Sequence, residues 1–274
     1  MVYGFISTVL GVLQEFDPEC ILVTFDTKEK TFRHEIDPGY KANRSKAPDD
    51  FYCQMPYIYD GLKAFGIEYL AQPGFESDDL IGSCVKMAEN QYDFENIYIA
   101  SGDYDFLQLV GDRVKLLKLN GAIDKSPLMG TEETQARFGV LPEQIIDYKA
   151  LVGDSSDNYK GIEGLGPKTA ENLFAKYKDL ATMYESVEEL PGKLQDKFKD
   201  QKDYVYHCQH LATIKTDIPL SVDMDPVYDL PFTEVESFLD DMGFPSLKGR
   251  LNRIRNKKLK EEKEKVNEAQ GVLF

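Results

Sequence analysis

The chain opens on an apolar run, MVYGFISTVLGVL, that ends against Glu15 and Asp17. Its spacing predicts a buried helix over residues 1–16. No Lys or Arg precedes the run and no small-residue cleavage site follows it, so it is not read as a signal peptide. Ile21–Phe25 (ILVTF) is a short, partly β-branched apolar run and predicts a buried strand. Residues 27–48 are polar, charged and broken by Pro38, Gly39 and Pro48, which predicts a long irregular arch. A helix over 50–65, a strand at 67–70 and a helix over 76–90 follow. In the last, Leu80, Ile81, Cys84, Val85 and Ala88 fall on one face. Asn96–Ala100 (NIYIA) and Val114–Leu119 (VKLLKL) read as further strands. Strands alternating with helices of this length predict an α/β fold, a mostly parallel sheet with helices on both faces.

After about residue 130 the pattern turns helical, with helices expected near 131–137, 142–151, 167–177, 190–213 and 233–241 and no clear strand. Residues 247–269 are dense in charge and predict an exposed helix or frayed tail. The expected organisation is an α/β domain over 1–138, a helical domain over 139–245 and a charged tail over 246–274.

Composition narrows the function. The 274 residues carry 48 Asp+Glu against 32 Lys+Arg, a net charge of −16. That balance excludes coating nucleic acid by bulk charge, yet permits a local basic grip. A hydrophobic share of 42% excludes disorder of the whole chain. No run approaches the ~18 apolar residues of a membrane span. Cys20, Cys53, Cys84 and Cys208 lie far apart with no C-x-x-C pair, which predicts free thiols, a cytoplasmic location and no zinc site.

The acids are placed in a telling way. Asp26 follows ILVTF directly, and Asp103 and Asp105 follow NIYIA. In open α/β sheets ligands sit outside the carboxyl ends of the strands, so both runs deliver carboxylates to one edge. Glu76, Asp78 and Asp79 open the helix that precedes NIYIA, and Asp154 and Asp157 are spaced to share a face. Any one pair could simply cap a helix. Together they would crowd like charges that repel by about 4 kcal/mol at ~4 Å. Hard divalent cations with oxygen ligands, Mg²⁺ or Mn²⁺, relieve such crowding, and two of them serve in-line displacement at phosphorus.

Two further segments fit a nucleic acid. Lys28, Lys30, Arg33, Lys41, Arg44 and Lys46 outnumber the acids of the arch, with Phe32 and Tyr40 interleaved. Cations hold phosphates and rings stack on bases. Gly161-Ile-Glu-Gly164-Leu-Gly166-Pro-Lys168-Thr169-Ala is a tight turn feeding a helix with Pro at its first position. It lacks the preceding strand of a P-loop or dinucleotide fingerprint. Glycines let backbone come close, and the free amides beside Lys168 favour a phosphate read without sequence preference.

The series VTFDTKEKTFRHEIDPGYKANR, GFESDDLIG, IASGDYDFLQL and LVGDSSDNYKGIEGLGPKTA resembles the 5′-nuclease family over roughly residues 1–220. That family includes the 5′→3′ exonuclease domain of bacterial DNA polymerase I, its stand-alone relatives and flap endonucleases. The resemblance implies a resolvase-like (PIN-like) α/β domain, a helix–hairpin–helix-type domain, and divalent-metal-dependent hydrolysis of DNA at 5′ ends and flaps. Carried over by motif, Asp26, Glu76, Asp78, Asp79, Asp103, Asp105, Asp154 and Asp157 become the acids for two metal ions. Lys41 and Arg44 become the pair at the scissile phosphate, and Arg33 and Tyr40 steer the unpaired 5′ end. Gly164, Gly166, Lys168 and Thr169 hold the downstream duplex strand, with K⁺ in that hairpin.

One departure stands out. The family places a strand bearing a metal-site Asp, in an Asp-Gly sequence, some twenty to thirty residues ahead of the V-Y-G-F that opens this sequence. The expectation is that the sequence starts at an internal methionine; a truly shortened protein is the alternative. Loss of that strand would expose apolar surface at the centre of the sheet. The polymerase domain is also absent from the sequence, which makes it a stand-alone nuclease or a fragment. The last residues, with Gln270, Leu273 and Phe274, resemble the short peptide by which bacterial repair proteins bind the sliding clamp. Two other readings stay open: a shortened protein that clasps branched DNA without cutting it, and a metal-dependent hydrolase of RNA or small phosphate esters.

Overall fold

The computed structural model describes residues 1–225 and 227–271. Helix α1 (Val2–Phe16) leads to strand β1 (Leu22–Thr24), the short helix α2 (Phe32–Ile36) and helix α3 (Asp49–Ala64). Strand β2 (Glu68–Leu70), helix α4 (Ser77–Gln91), strand β3 (Ile97–Ser101), strand β4 (Val114–Lys118) and strand β5 (Leu128–Met129) complete the α/β part. The helices α5 (Thr131–Phe138), α6 (Ile145–Val152), α7 (Pro167–Phe174), α8 (Leu180–Glu185), α9 (Gly192–Asp200) and α10 (Lys202–Ala212) follow. Helices α11 (Phe232–Asp241) and α12 (Pro245–Gly271) close the chain.

The sheet is in two pieces. Strand β1 pairs in parallel with β2, and β3 pairs in parallel with β4, which pairs antiparallel with β5. Among the described residues no strand joins β1 to β3. Burial follows this split. Val114, Leu116 and Leu117 of β4 are fully buried, as a strand covered on both faces should be, whereas none of Leu22–Thr24 is.

Two hydrophobic cores result. One runs from Ile99 and Leu116 through Leu151 and Leu173 to Val205 and Ile214, so β3, β4 and the helices after them share a single core. The other joins Ile6 and Leu10 of α1 to Leu62 of α3, Leu239 of α11 and Leu251 of α12. Here the structure differs from the sequence reading in two ways. Helix α11 packs with α1 and α3 rather than with the helical domain expected over 139–245. The tail expected from residue 246 begins as a core element, because Leu247, Leu251 and Ile254 form a buried stripe and Arg250 Nη1 donates to the Ser7 carbonyl at 2.8 Å. The expected single helix over 190–213 is broken at Gln201, and α8 and β5 were not anticipated. Of the clamp-type peptide, Leu273 and Phe274 and the Gln270 side chain lie outside the described residues.

Candidate metal centre and nucleic-acid interface

The strand ends and the start of α4 set the frame. Asp26, two residues beyond β1, accepts from the Ser77 N–H at 2.8 Å and so ties the end of β1 to the start of α4. Glu76 caps α4, and its carboxylate is gripped from outside by the arch. Lys41 Nζ donates to Glu76 Oε1 at 2.7 Å and stands 4.0 Å from Asp157 Oδ1. The Tyr40 hydroxyl lies 3.1 Å from both Glu76 Oε2 and Asp157 Oδ2. Arg44 Nη2 donates to Asp157 Oδ1 at 2.8 Å, with its side chain 51% exposed. On the far side, the Asp105 N–H donates to Asp103 Oδ1 at 3.0 Å.

A second group joins from the loop after α6. Carboxylate oxygens of Asp105, Asp154 and Asp157 lie within 4.8 Å of one another. Asp154 Oδ1 accepts from Ser156 N–H and Oγ, which fixes the turn. Glycine is required at both feet of this loop. A Cβ on Gly153 (φ +84°) would fall 2.4 Å from the Lys160 backbone, and one on Gly161 (φ +62°) 2.4 Å from the Leu151 carbonyl oxygen. Lys149, its side chain 13% exposed, stands between the carboxylates, pairing with Asp105 and, at 2.7 Å, with Asp154.

The electrostatics record the crowding. Burial first, then the fields of Asp103, Glu76 and Asp26, lift the Asp78 carboxyl to about 6 against the pull of Lys41. Burial and Asp103 lift Asp105 to about 7 in spite of Lys149. Burial would raise Asp154 as well, but Lys149 and the Ser156 hydrogen bonds outweigh it and hold Asp154 at about 2. The Tyr159 hydroxyl is buried with no hydrogen-bond partner among the described residues. An all-oxygen donor set in which Asp78 and Asp105 resist ionisation in the absence of a cation fits hard divalent ions.

This crowding predicts how stability depends on pH when chelator keeps metal away. Carboxyls raised to about 6 and about 7 keep protons in the folded chain that the unfolded chain has already lost. Stability then falls as pH rises from the ordinary carboxylate range to the raised values, from about pH 4 to about pH 7. Asp154, held low, acts below this window. Urea midpoints measured in EDTA should decline across it; a rising midpoint would contradict the assignment.

Three residues are not where the sequence reading puts them. Arg33, expected to meet the 5′ end, is 2% exposed. It holds Asp79 with two bonds of 2.7 and 2.8 Å, touches Glu76 at 3.2 Å and donates to the Leu211 and Thr213 carbonyls. Its donors are used up, so it has none for a phosphate. Asp79, expected as a metal ligand, is fully buried and satisfied by Arg33 and by the Glu76 and Lys215 N–H groups. Tyr40 is 3% exposed and cannot stack on a base. Conversely, Lys149 was overlooked, although a lone cation inside the apolar run IIDYKALV was a usable signal. Further along, Gly164 (φ +71°) and Gly166 form the exposed hairpin before α7. Lys168, 83% exposed, pairs with Glu171, and the Thr169 N–H donates to the Gly166 carbonyl at 3.0 Å.

Residues 1–139 match the family model of the 5'-3' exonuclease N-terminal resolvase-like domain, and residues 140–237 that of the 5'-3' exonuclease C-terminal SAM fold. The chain belongs to the 5'-3' exonuclease family. Among curated proteins, this exonuclease-family chain is 36% identical to DNA polymerase I of Bacillus subtilis over 253 residues, 91% of the chain and 28% of the polymerase. It is 35% identical to DNA polymerase I of Caldicellulosiruptor bescii over 226 residues, 82% of the chain and 26% of that protein. It thus spans under a third of the length of these relatives. Its fold is similar to that of the bacteriophage T5 D15 flap endonuclease, solved in a complex with DNA and metal ions. That likeness has a TM-score of 0.65 at 20% identity and covers 93% of this chain and 90% of the phage protein. The catalytic core of Rad2 with DNA substrate gives a TM-score of 0.57 at 18% identity, covering 92% and 83%. The resolvase-like α/β domain followed by an all-helical domain expected from the sequence is therefore the family's architecture, and the family model describes the helical part, expected as a helix–hairpin–helix type, as a SAM fold.

Proposed function

We propose that this chain is a structure-specific 5′→3′ exonuclease and 5′-flap endonuclease that hydrolyses DNA phosphodiester bonds in replication and repair. The observation that carries the reading is the carboxylate rim, where acids following β1 and β3, opening α4 and in the loop after α6 meet beside Lys41 and Arg44. Two divalent ions, Mg²⁺ or Mn²⁺, held among Asp26, Glu76, Asp78, Asp103, Asp105, Asp154 and Asp157, would activate water and stabilise the leaving oxygen.

The chain's own groups supply the rest. Lys41 and Arg44, now paired with Glu76 and Asp157, offer cations to the scissile phosphate and to the charge that develops on it. With Arg33 and Tyr40 committed to the interior, the unpaired 5′ end is left to the exposed part of the arch. There Lys28 lies 5.5 Å over the ring of exposed Tyr52, with exposed Phe51 alongside, a cation–aromatic surface suited to single strands. The hairpin at Gly164, Gly166, Lys168 and Thr169 takes the duplex backbone, with K⁺ as its monovalent ion. Gln270, Leu273 and Phe274 are proposed to bind the sliding clamp. The site of action is the cytoplasm, in keeping with the lack of any described helix long and apolar enough to cross a membrane.

A labelled 5′-flap duplex tests the reading. Cleavage is expected with Mg²⁺ and none with EDTA, while Ca²⁺ supports binding alone. Binding without Mg²⁺-dependent cleavage would overturn the enzyme and leave the binding protein. Lys168→Ala should weaken duplex binding uniformly over sequence and reduce the salt slope of affinity by about 1, with little change in kcat. Removing residues 270–274 should abolish clamp capture in a pull-down without altering flap cleavage.

A further inference from the structure

The gap between Asp105 and Asp154 is closed by a cation of the chain itself. Lys149 of α6 donates from Nζ to Asp105 Oδ1 and, at 2.7 Å, to Asp154 Oδ2. Which oxygens it takes matters. Asp154 Oδ1 already accepts from the Ser156 N–H at 2.7 Å, the Ser156 hydroxyl at 2.6 Å and the Asp157 N–H at 3.3 Å. The lone pairs of that oxygen are spent on the turn. Oδ2 is the oxygen of Asp154 left for a cation, and Lys149 holds it. A divalent ion shared by Asp105 and Asp154 needs the same oxygens. Two cations crowded onto one pair of carboxylates repel each other, so the ammonium and the ion exclude one another.

Lys149 differs from the other cations of the rim. Lys41 and Arg44 come from the arch and pair with Glu76 and Asp157, and the Arg44 side chain is 51% exposed. Lys149 comes from the helix ahead of the acid loop and is 13% exposed. An ammonium taken out of water to that extent is heavily penalised unless carboxylates meet it. There is also room for it to leave. Lys149 lines a cavity of about 310 Å³ beside the acids, whose wall includes Tyr104, Phe138, Tyr148 and Ser155. A flexible four-carbon stem lets the ammonium swing out of the gap into that space, where aromatic rings receive a cation.

We propose that Lys149 is an internal competitor of the metal. Its ammonium holds the gap between Asp105 and Asp154 in the metal-free chain and withdraws into the adjoining cavity when a divalent ion enters. It therefore stabilises the metal-free fold and weakens metal affinity. The proposal rests on the carboxylate rim being the metal centre, and it adds the group that sets how readily that centre fills.

The probe is Mn²⁺, titrated calorimetrically into the full chain without DNA. Binding by the parent tests the metal centre itself, and the variants test the competitor. Lys149→Met should bind Mn²⁺ at least about tenfold more tightly than the parent, and adding Asp154→Asn should cancel the gain. Lys149→Arg keeps the charge and should stay within about threefold of the parent. Urea unfolding gives a second readout. Lys149→Met should be less stable than the parent in EDTA, and saturating Mn²⁺ should close most of the difference. A lysine that merely braced the fold would lower both midpoints alike. A parent that binds Mn²⁺ while Lys149→Met binds it equally or more weakly would overturn the proposal and leave the metal centre standing. Equal loss of stability with and without the ion would also overturn it. Should Lys149→Met not fold, the parent decides. The ¹³Cε signal of Lys149, assigned by its loss in Lys149→Arg, should shift as Mg²⁺ is added, and an unmoved signal at saturation would overturn the proposal.

Discussion

Asp105→Asn is expected to lower flap cleavage on the order of 10³-fold, the scale seen when one preorganised electrostatic group is lost from a phosphoryl or acyl transfer site. The substitution keeps shape and volume, so the fold should hold. Lys149 retains Asp154 as its partner at 2.7 Å. Asp105 is also the acid that gives up its proton least readily in the metal-free chain, lifted to about 7 by burial and by Asp103. Replacing it should therefore remove much of the loss of stability between about pH 4 and about pH 7, raising the urea midpoint in EDTA at pH 7 while activity collapses. The measurements are single-turnover cleavage of a labelled flap duplex, and urea unfolding at both pH values. Cleavage within about tenfold of the parent would remove Asp105 from the catalytic acids.

The largest loss of stability should come from Arg33→Met. The guanidinium is 2% exposed and makes bonds of 2.7 and 2.8 Å to Asp79, which is 0% exposed. Removing it leaves a buried carboxylate with only two backbone N–H groups and frees the Leu211 and Thr213 carbonyls. Breaking one partner of a buried pair costs about 3–5 kcal/mol. Urea unfolding of metal-free protein reads this directly. The double change Arg33→Met with Asp79→Leu should recover much of the loss, because it removes the stranded charge. A single variant as stable as the parent would show that the pair is not what anchors α2 to α4. If Arg33 instead met DNA, the variant would lose affinity and keep its stability.

That contrast marks how far the sequence could be read. Asp26 and Asp103 were legible because an acid directly after an apolar strand run has one place to go, the carboxyl edge of the sheet. The start of α4 was legible because Glu76-Ser-Asp-Asp ahead of an amphipathic run is an N-terminal signal. Arg33 and Tyr40 were misread for a physical reason. A local excess of Lys and Arg does not tell which cation meets water and which is drawn inward by a buried acid far along the chain. The first turns of α12 were hidden in another way. Leu247, Leu251 and Ile254 do form a helical stripe, but the charges around them dominate the composition.

By itself, then, the sequence determined the local elements, the switch from alternating strands to helices, and the acids delivered to the strand ends. These follow from periodicity and from residue-level preferences that act over a turn or two. Only the tertiary structure decided which carboxylates crowd one another, that Lys149 sits among them, and that Asp79 is withdrawn to pair with Arg33. Coulomb energy and desolvation depend on separation and burial, and neither is a property of position along a chain.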